Sequence, residues 1–210
     1  QKKYFFWSDF DKNLKIKMKD NLNKNQSLLK NIPFGAKDIF NSNKLKTEMG
    51  SELFKGHQAG NDARAIYNLL REGSVLAGKT VTAEFAVHKL NKTLNPHDIT
   101  LTPGTSSSGS AVAVCLGVVP FALATQTAGS IIRPASFNGV YGFKPSFGLI
   151  PRTGILKTSD TLDTIGFFCI HAKDIKIIFD KIILIGKNYP VSNKYLNKKI
   201  KKRFKGAYFC

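Results

Sequence analysis

Residues 102–136 read TPGTSSSGSAVAVCLGVVPFALATQTAGSIIRPAS, and the rest of the chain is best read outward from them. Two loops of small residues, PGTSSSGS (103–110) and TQTAGS (125–130), flank an apolar segment long enough for one helix followed by one strand. Gly, Ser and Ala impose little steric bulk, so backbone in both loops can approach a substrate closely. Each loop also offers a serine. A hydroxyl attacks a carbonyl only with a base to take its proton, so a base must be sought elsewhere in the chain.

Upstream, NIPFGAKDIF (31–40) is a short apolar stretch punctuated by Pro33 and Gly35, which reads as a buried strand carrying Lys37. A lysine among apolar residues is costly to bury charged, and its pKa falls. The alternative is a surface lysine at a strand end. Residues 1–30 read as a loose helix without visible chemistry, and 41–60 as loop. Asn61-Asp62 offers an N-cap to a helix over DARAIYNLLREG, closed by Gly73. SVLAGKT is expected as a strand and TAEFAVHKL as a helix start. Gly73–Thr80 matches GxxxxGK[ST] letter for letter. A phosphate-cradling loop needs a strand before it and a flexible loop between its glycines. Here a helix precedes and the strand formers Val75-Leu76 intervene, which argues against nucleotide binding.

Downstream, Ser108–Ser110 can cap the helix AVAVCLG, VVPFALATQT is a strand and TAGS a tight turn. IIRPASFNG is short and helical or irregular, VYGFKPSFGLI a bent strand, and HAKDIKIIFDKIILIG a packed helix. Alternating strands and helices predict the α/β class, with a mixed β-sheet core flanked by helices.

The 210 residues carry a net charge of +18, a nucleic-acid signal by magnitude but not by placement. Residues 1–30 hold eight lysines against three aspartates, and 187–210 hold eight Lys/Arg and no acid. An excess of Lys at both ends, interleaved with Asn, fits solvated surface better than a binding groove. KKIKKRFK (198–205) is the only stretch that could contact RNA. Nucleic acid is therefore disfavoured as a partner. No apolar run approaches the ~18 residues of a membrane span. Cys115, Cys169 and Cys210 form an odd, scattered set that fits thiols in a reducing, cytoplasmic setting. The four histidines show no ligand spacing, so neither a metal nor another cofactor is expected. The first residue, Gln1, lacks a signal-peptide context, which suggests a processed chain or a fragment.

Taken together, IPFGAKDIF, the DAR helix, GKTVTAEFA, TPGTSSSGSAVAV, TQTAGSIIRPA, NGVYGFKPSFG and LDTIG resemble the amidase signature family, in family order over about residues 31–170. The resemblance implies serine amidohydrolases with a Ser–cis-Ser–Lys triad. By motif position it places the base at Lys37, the bridging serine at Ser106 after an expected cis bond, and the nucleophile at Ser130. It puts an oxyanion hole at the backbone of Thr127, Ala128, Gly129 and Ser130. Thr125, Ser107 and Arg133 are the expected substrate-binding residues, Ser107 also as a loop support and Arg133 either as a carboxylate clamp or as a structural ion-pair partner. Asp163 is expected to cap or pack rather than catalyse. Thr105, Ser108 and Ala128 stand where the family has glycine, Gln126 where many members have Asp, and Asn138 where Cys or Thr is common. The family is typically about twice this length. The expectation is therefore one amidase signature domain over 1–210, incomplete at both ends, with its motif core at 31–170 and a basic, weakly patterned tail at 187–210. The implied function is hydrolysis of a small carboxamide, with a second copy of the chain as an optional partner. The alternatives are the A subunit of a tRNA-dependent amidotransferase and a truncated, inactive fragment.

Overall fold

The structure is a computed structural model, and it describes residues 3–20, 27–87 and 89–186. The basic tail at 187–210, with KKIKKRFK, lies outside the described residues. Among the described residues six strands form one mixed sheet: β1 (Trp7–Phe10), β2 (Pro33–Lys37), β3 (Val75–Thr80), β4 (Phe121–Gln126), β5 (Tyr141–Phe143) and β6 (Thr164–Cys169), in the order β1-β3-β2-β4-β6-β5. Strand β2 lies between β3 and β4 and runs parallel to both; β1, β5 and β6 join antiparallel. The helices are α1 (Leu14–Asp20), α2 (Arg64–Arg71), α3 (Ser108–Cys115), α4 (Ile132–Asn138) and α5 (Asp174–Ile182).

Each sheet face has its own core. On one, α2 and α5 bring Ile66, Leu69, Ile178 and Ile182 against Phe34, Phe121, Leu123 and Phe167, where the rings of Phe34 and Phe121 stack with centroids 5.5 Å apart. On the other, α3 and α4 bury Val112, Val114, Ile131 and Ala135 against Ala77, Ala122, Ala124 and Phe168. Strands covered on both faces read as continuous apolar runs rather than as alternations, which is why every residue of β3, β4 and β6 is buried. Each fully buried Phe, Leu or Ile is worth about 1.5–3 kcal/mol against exposure.

Helix α3 is buried along residues 108–114, the mark of a helix enclosed on every side. It can sit there because Gly109 lacks a side chain: a Cβ would lie 2.4 Å from Val81 N and 2.5 Å from Phe6 O. The helix is not capped by its own serines. No side-chain cap bond forms at Ser107, and Ser108 and Ser110 bond Asn91 and the Leu123 carbonyl instead.

Four other expectations differ from the structure. The loose helix expected over 1–30 is a strand, β1, and then a helix. Val81 N donates to Phe6 O and Asp11 N to Ala77 O, so the open side of β3 recruits the aromatic stretch YFFWSDF by backbone pairing, with Phe6 entering the core. The helix expected at TAEFAVHKL is a single 3₁₀ turn, Glu84–Ala86, in which Phe85 and Ala86 have φ of 49° and 61°. Strand β6 falls between the expected bent strand and the expected packed helix, where no element was expected. Its pairing with β4 over Phe121–Gln126 supplies the order that its own short apolar run left open. Asn61 and Asp62 do not cap α2, whose N-cap is Ala63; they tie down residues 41–43.

Candidate active site

The parallel strands β2, β3 and β4 end at one edge of the sheet, the usual place for ligands in such sheets. Lys37 is the last residue of β2 and is fully buried. Its Nζ meets two hydroxyls, Ser106 Oγ at 2.7 Å and Thr125 Oγ1 at 3.0 Å. Burial drives the Lys37 pKa from 10.5 down to about 7, with the charge of Asp163 pulling it partly back. Among the described residues no carboxylate contacts the amine. That is the environment in which a lysine is a neutral base at physiological pH.

Ser106 follows a cis peptide bond from Thr105, as expected. Its loop is held from several directions. Ala83 N donates to Ser106 O at 3.1 Å, and Arg133 donates from Nε and Nη2 to Thr105 O at 3.3 and 3.1 Å. Asn138 Nδ2 donates to Pro103 O and Pro134 O, each at 2.7 Å, which binds α4 to the start of the same loop and accounts for an asparagine there. Gly104, at φ +80°, lets the chain turn past Pro134, whose Cα would lie 3.0 Å from a Cβ.

Ser130 closes the turn between β4 and α4 and is 8% exposed. Among the described residues its hydroxyl has no hydrogen-bond partner, and no bond joins it to Ser106. The backbone N–H groups of Thr127, Ala128, Gly129 and Ser130 likewise have no protein acceptor among the described residues. The next two are taken: Gln126 Oε1 accepts from Ile131 N at 2.8 Å and Ile132 N at 2.9 Å. A glutamine carbonyl thus supplies an acceptor at the start of α4 and separates the satisfied donors from the free ones.

The structure brings Lys37, Ser106, Thr125 and Ser107 into one bonded cluster, with the turn 127–130 at the end of the same β4. Thr125 faces the lysine. Ser107 is buried and donates to Thr125 O at 3.2 Å, so it braces the cluster. Arg133 holds the Thr105 carbonyl rather than an acid. Asp163 is more connected than its sequence reading. Its Oδ1 accepts from Thr127 Oγ1 at 2.5 Å and Thr158 Oγ1 at 2.8 Å, and its Oδ2 from Thr158 N at 2.6 Å and Ser159 N at 2.9 Å. The one sequence signal for this role was a lone acid in LDTIG, immediately before an apolar run.

The sequence model of the Amidase family matches residues 4–207. The chain belongs to the amidase family. It is 38% identical over 156 residues to the A subunit of the glutamyl-tRNA(Gln) amidotransferase of Legionella pneumophila, covering 71% of this chain and 32% of that protein. Among solved structures it superposes on a native peptide amidase from Stenotrophomonas maltophilia with a TM-score of 0.84 at 28% identity, covering 93% of this chain and 43% of the other. It superposes on the A subunit of the Thermotoga maritima glutamyl-tRNA(Gln) amidotransferase with a TM-score of 0.73 at 30% identity, over 84% and 44%. The chain therefore spans about a third of the curated relative and less than half of either solved chain.

Proposed function

We propose that this chain carries the acyl-transfer centre of an amidase, with Ser130 as nucleophile, Ser106 as proton relay and Lys37 as base. The observation that carries the reading is Lys37: fully buried, bonded through Nζ to two hydroxyls, and brought to about 7. Neutral Lys37 accepts the Ser106 proton while Ser106 accepts that of Ser130. Ser130 Oγ then bonds the carboxamide carbon. The tetrahedral oxyanion accepts hydrogen bonds from the free N–H groups of residues 127–130, where a single donor is worth about 2.7–4 kcal/mol. As the C–N bond breaks, the relay returns the proton to the leaving ammonia or amine. Water, deprotonated by the same relay, opens the ester, and the acid departs. Arg133, next to the nucleophile's turn, is the group available to a substrate carboxylate, although its present partner is Thr105 O.

Labelling with a fluorophosphonate tests this: the native chain reacts once, at Ser130, and Ser130→Ala does not. Labelling that persists in the variant removes Ser130 as nucleophile, and a native chain that never labels supports the inactive-fragment reading. A second reading rests on the 38% identity to the A subunit of an amidotransferase. In that case the acyl-enzyme forms from glutamine, and ammonia is passed on with the help of other protein chains. Glutamine hydrolysis that rises when the other chains of such an amidotransferase are supplied distinguishes the two. Cys115 and Cys169 are free thiols, in keeping with the expected cytoplasmic setting.

A further inference from the structure

We propose that Asp163 is a positioning residue of this site, anchoring the Thr127 end of the oxyanion turn while setting its negative charge against Lys37. The proposal deepens the amidase reading and rests on it. Asp163 immediately precedes β6, and Thr164 pairs with Gln126, so the backbone places it beside the end of β4 where Thr125 holds the lysine. Thr125 and Asp163 line the same small cavity, together with Arg152, Lys157 and Thr158. The carboxylate accepts four hydrogen bonds. One comes from the first residue of the turn with the free N–H groups; three come from Thr158 and Ser159, in the strap leading into β6. One side chain thus locks strap and turn together.

Asp163 is ionised at neutral pH. Burial pushes its carboxyl up, but the hydrogen bonds from Thr127, Ser159 and Thr158 outweigh burial and hold it below the usual range. Its charge raises the Lys37 pKa against the larger effect of burial. The other groups around Lys37 are hydroxyls, an ion pair, a thiol and cations, none of them a second carboxylate facing the amine among the described residues. From β4 and the relay loop come the hydroxyls of Thr125 and Ser106. On the neighbouring strand Lys79 pairs with Asp38 at 3.0 Å. The titratable group of α3 is Cys115, at the last position of that helix. On α4, Arg133 is bound to Thr105 O, and Arg152 and Lys157 reach the cavity from the strap. Asp163 therefore keeps Lys37 from losing its proton too readily, so that the amine is still basic enough to take one from a serine.

The test follows the Lys37 side-chain resonance against pH in ¹⁵N-lysine-labelled chain, assigned by its loss in Lys37→Met. Asp163→Asn is expected to lower the midpoint by about half a pH unit, because an opposing charge is lost. Thr127→Val keeps the charge and is expected to leave the midpoint in place while slowing fluorophosphonate labelling about tenfold. A midpoint unmoved or raised in Asp163→Asn overturns the electrostatic half, and native labelling by Thr127→Val overturns the anchoring half. Circular dichroism reports whether Asp163→Asn folds. If it does not, Asp163→Glu replaces it, and the proposal then requires a midpoint held near the native one together with slowed labelling. The titration does not require Ser130 to react, so a native chain that fails to label defeats the amidase reading without deciding the Lys37 result.

Discussion

Lys37 and Lys79 sit on adjacent parallel strands, one register step apart, and both are fully buried. Burial lowers the pKa of both, but their partners differ. Lys79 meets Asp38 Oδ1 at 3.0 Å, Thr47 Oγ1 at 3.0 Å and Lys46 O at 3.1 Å: a carboxylate and two further acceptors. Burial pushes Lys79 down and Asp38 up, and their mutual attraction opposes both shifts. Lys37 has the same burial with hydroxyls in place of the acid. Asp38, the first residue after β2, meets the lysine of the neighbouring strand rather than Lys37. Burial alone does not make a lysine a base. The two differ in partner: Asp38 is paired with Lys79 and does not contact Lys37.

The largest expected effect bears on the reactive side of this contrast. Ser130→Ala should cut acyl-enzyme formation about 10⁴-fold or more, read as the rate of fluorophosphonate labelling. A loss of tenfold or less would mean that Lys37 is poised for a different nucleophile. Next is Lys79→Met, which strands Asp38 in the interior and should lower unfolding free energy by about 3–5 kcal/mol in urea titrations. The double variant Lys79→Met/Asp38→Leu should recover most of that, and equal instability of the two would show that the pair is not the cause.

Lys37→Met should do the reverse and stabilise the fold by about 1–3 kcal/mol at pH 7, with labelling abolished. The sign follows from proton counting. The unfolded chain keeps the Lys37 proton up to 10.5 and the folded chain releases it near 7, so unfolding takes up a proton between these values. The native lysine is then at its most destabilising below about 7, and its cost fades as the pH rises toward 10.5. Melting temperatures of the two chains should therefore converge on going alkaline, and a gap that widens would reverse the argument. Activity of the native chain should rise with pH through about 7 as Lys37 deprotonates, measured as initial hydrolysis rates. The smallest effect is expected from Thr125→Val, which removes one of two acceptors on Lys37. It should slow labelling about tenfold, with stability changed by about 1 kcal/mol.

The motif core was legible because its chemistry is local. Small residues around Ser106 and Ser130, and a lone lysine closing an apolar run, mark places where backbone or an amine is held unusually, whatever surrounds them. The sequence also rejected the GxxxxGK[ST] match, and the structure shows Gly78-Lys79 within β3, with the lysine buried in an ion pair. What escaped was non-local. Strand β1 forms from the aromatic stretch YFFWSDF (4–10) because β3 offers it an open side, and β6 because β4 does. Phe85 and Ala86 leave helical geometry while bonded into a 3₁₀ turn, with Phe85 N on Met49 O.

By itself the sequence determined the α/β class and the family, and it marked Lys37, Ser106 and Ser130 as the residues proposed here for reaction. These depend on residue type and on short spacing along the chain, where each loop carries its own instructions. Only the tertiary structure decided the partners. Asp38 went to Lys79, Thr125 to Lys37, Gln126 to the start of α4, Asn138 to the relay loop and Asp163 to Thr127. Each of those bonds joins segments that meet only when the sheet is assembled or a loop folds back on itself. For buried charges, the partner across that gap sets whether a proton is held or released.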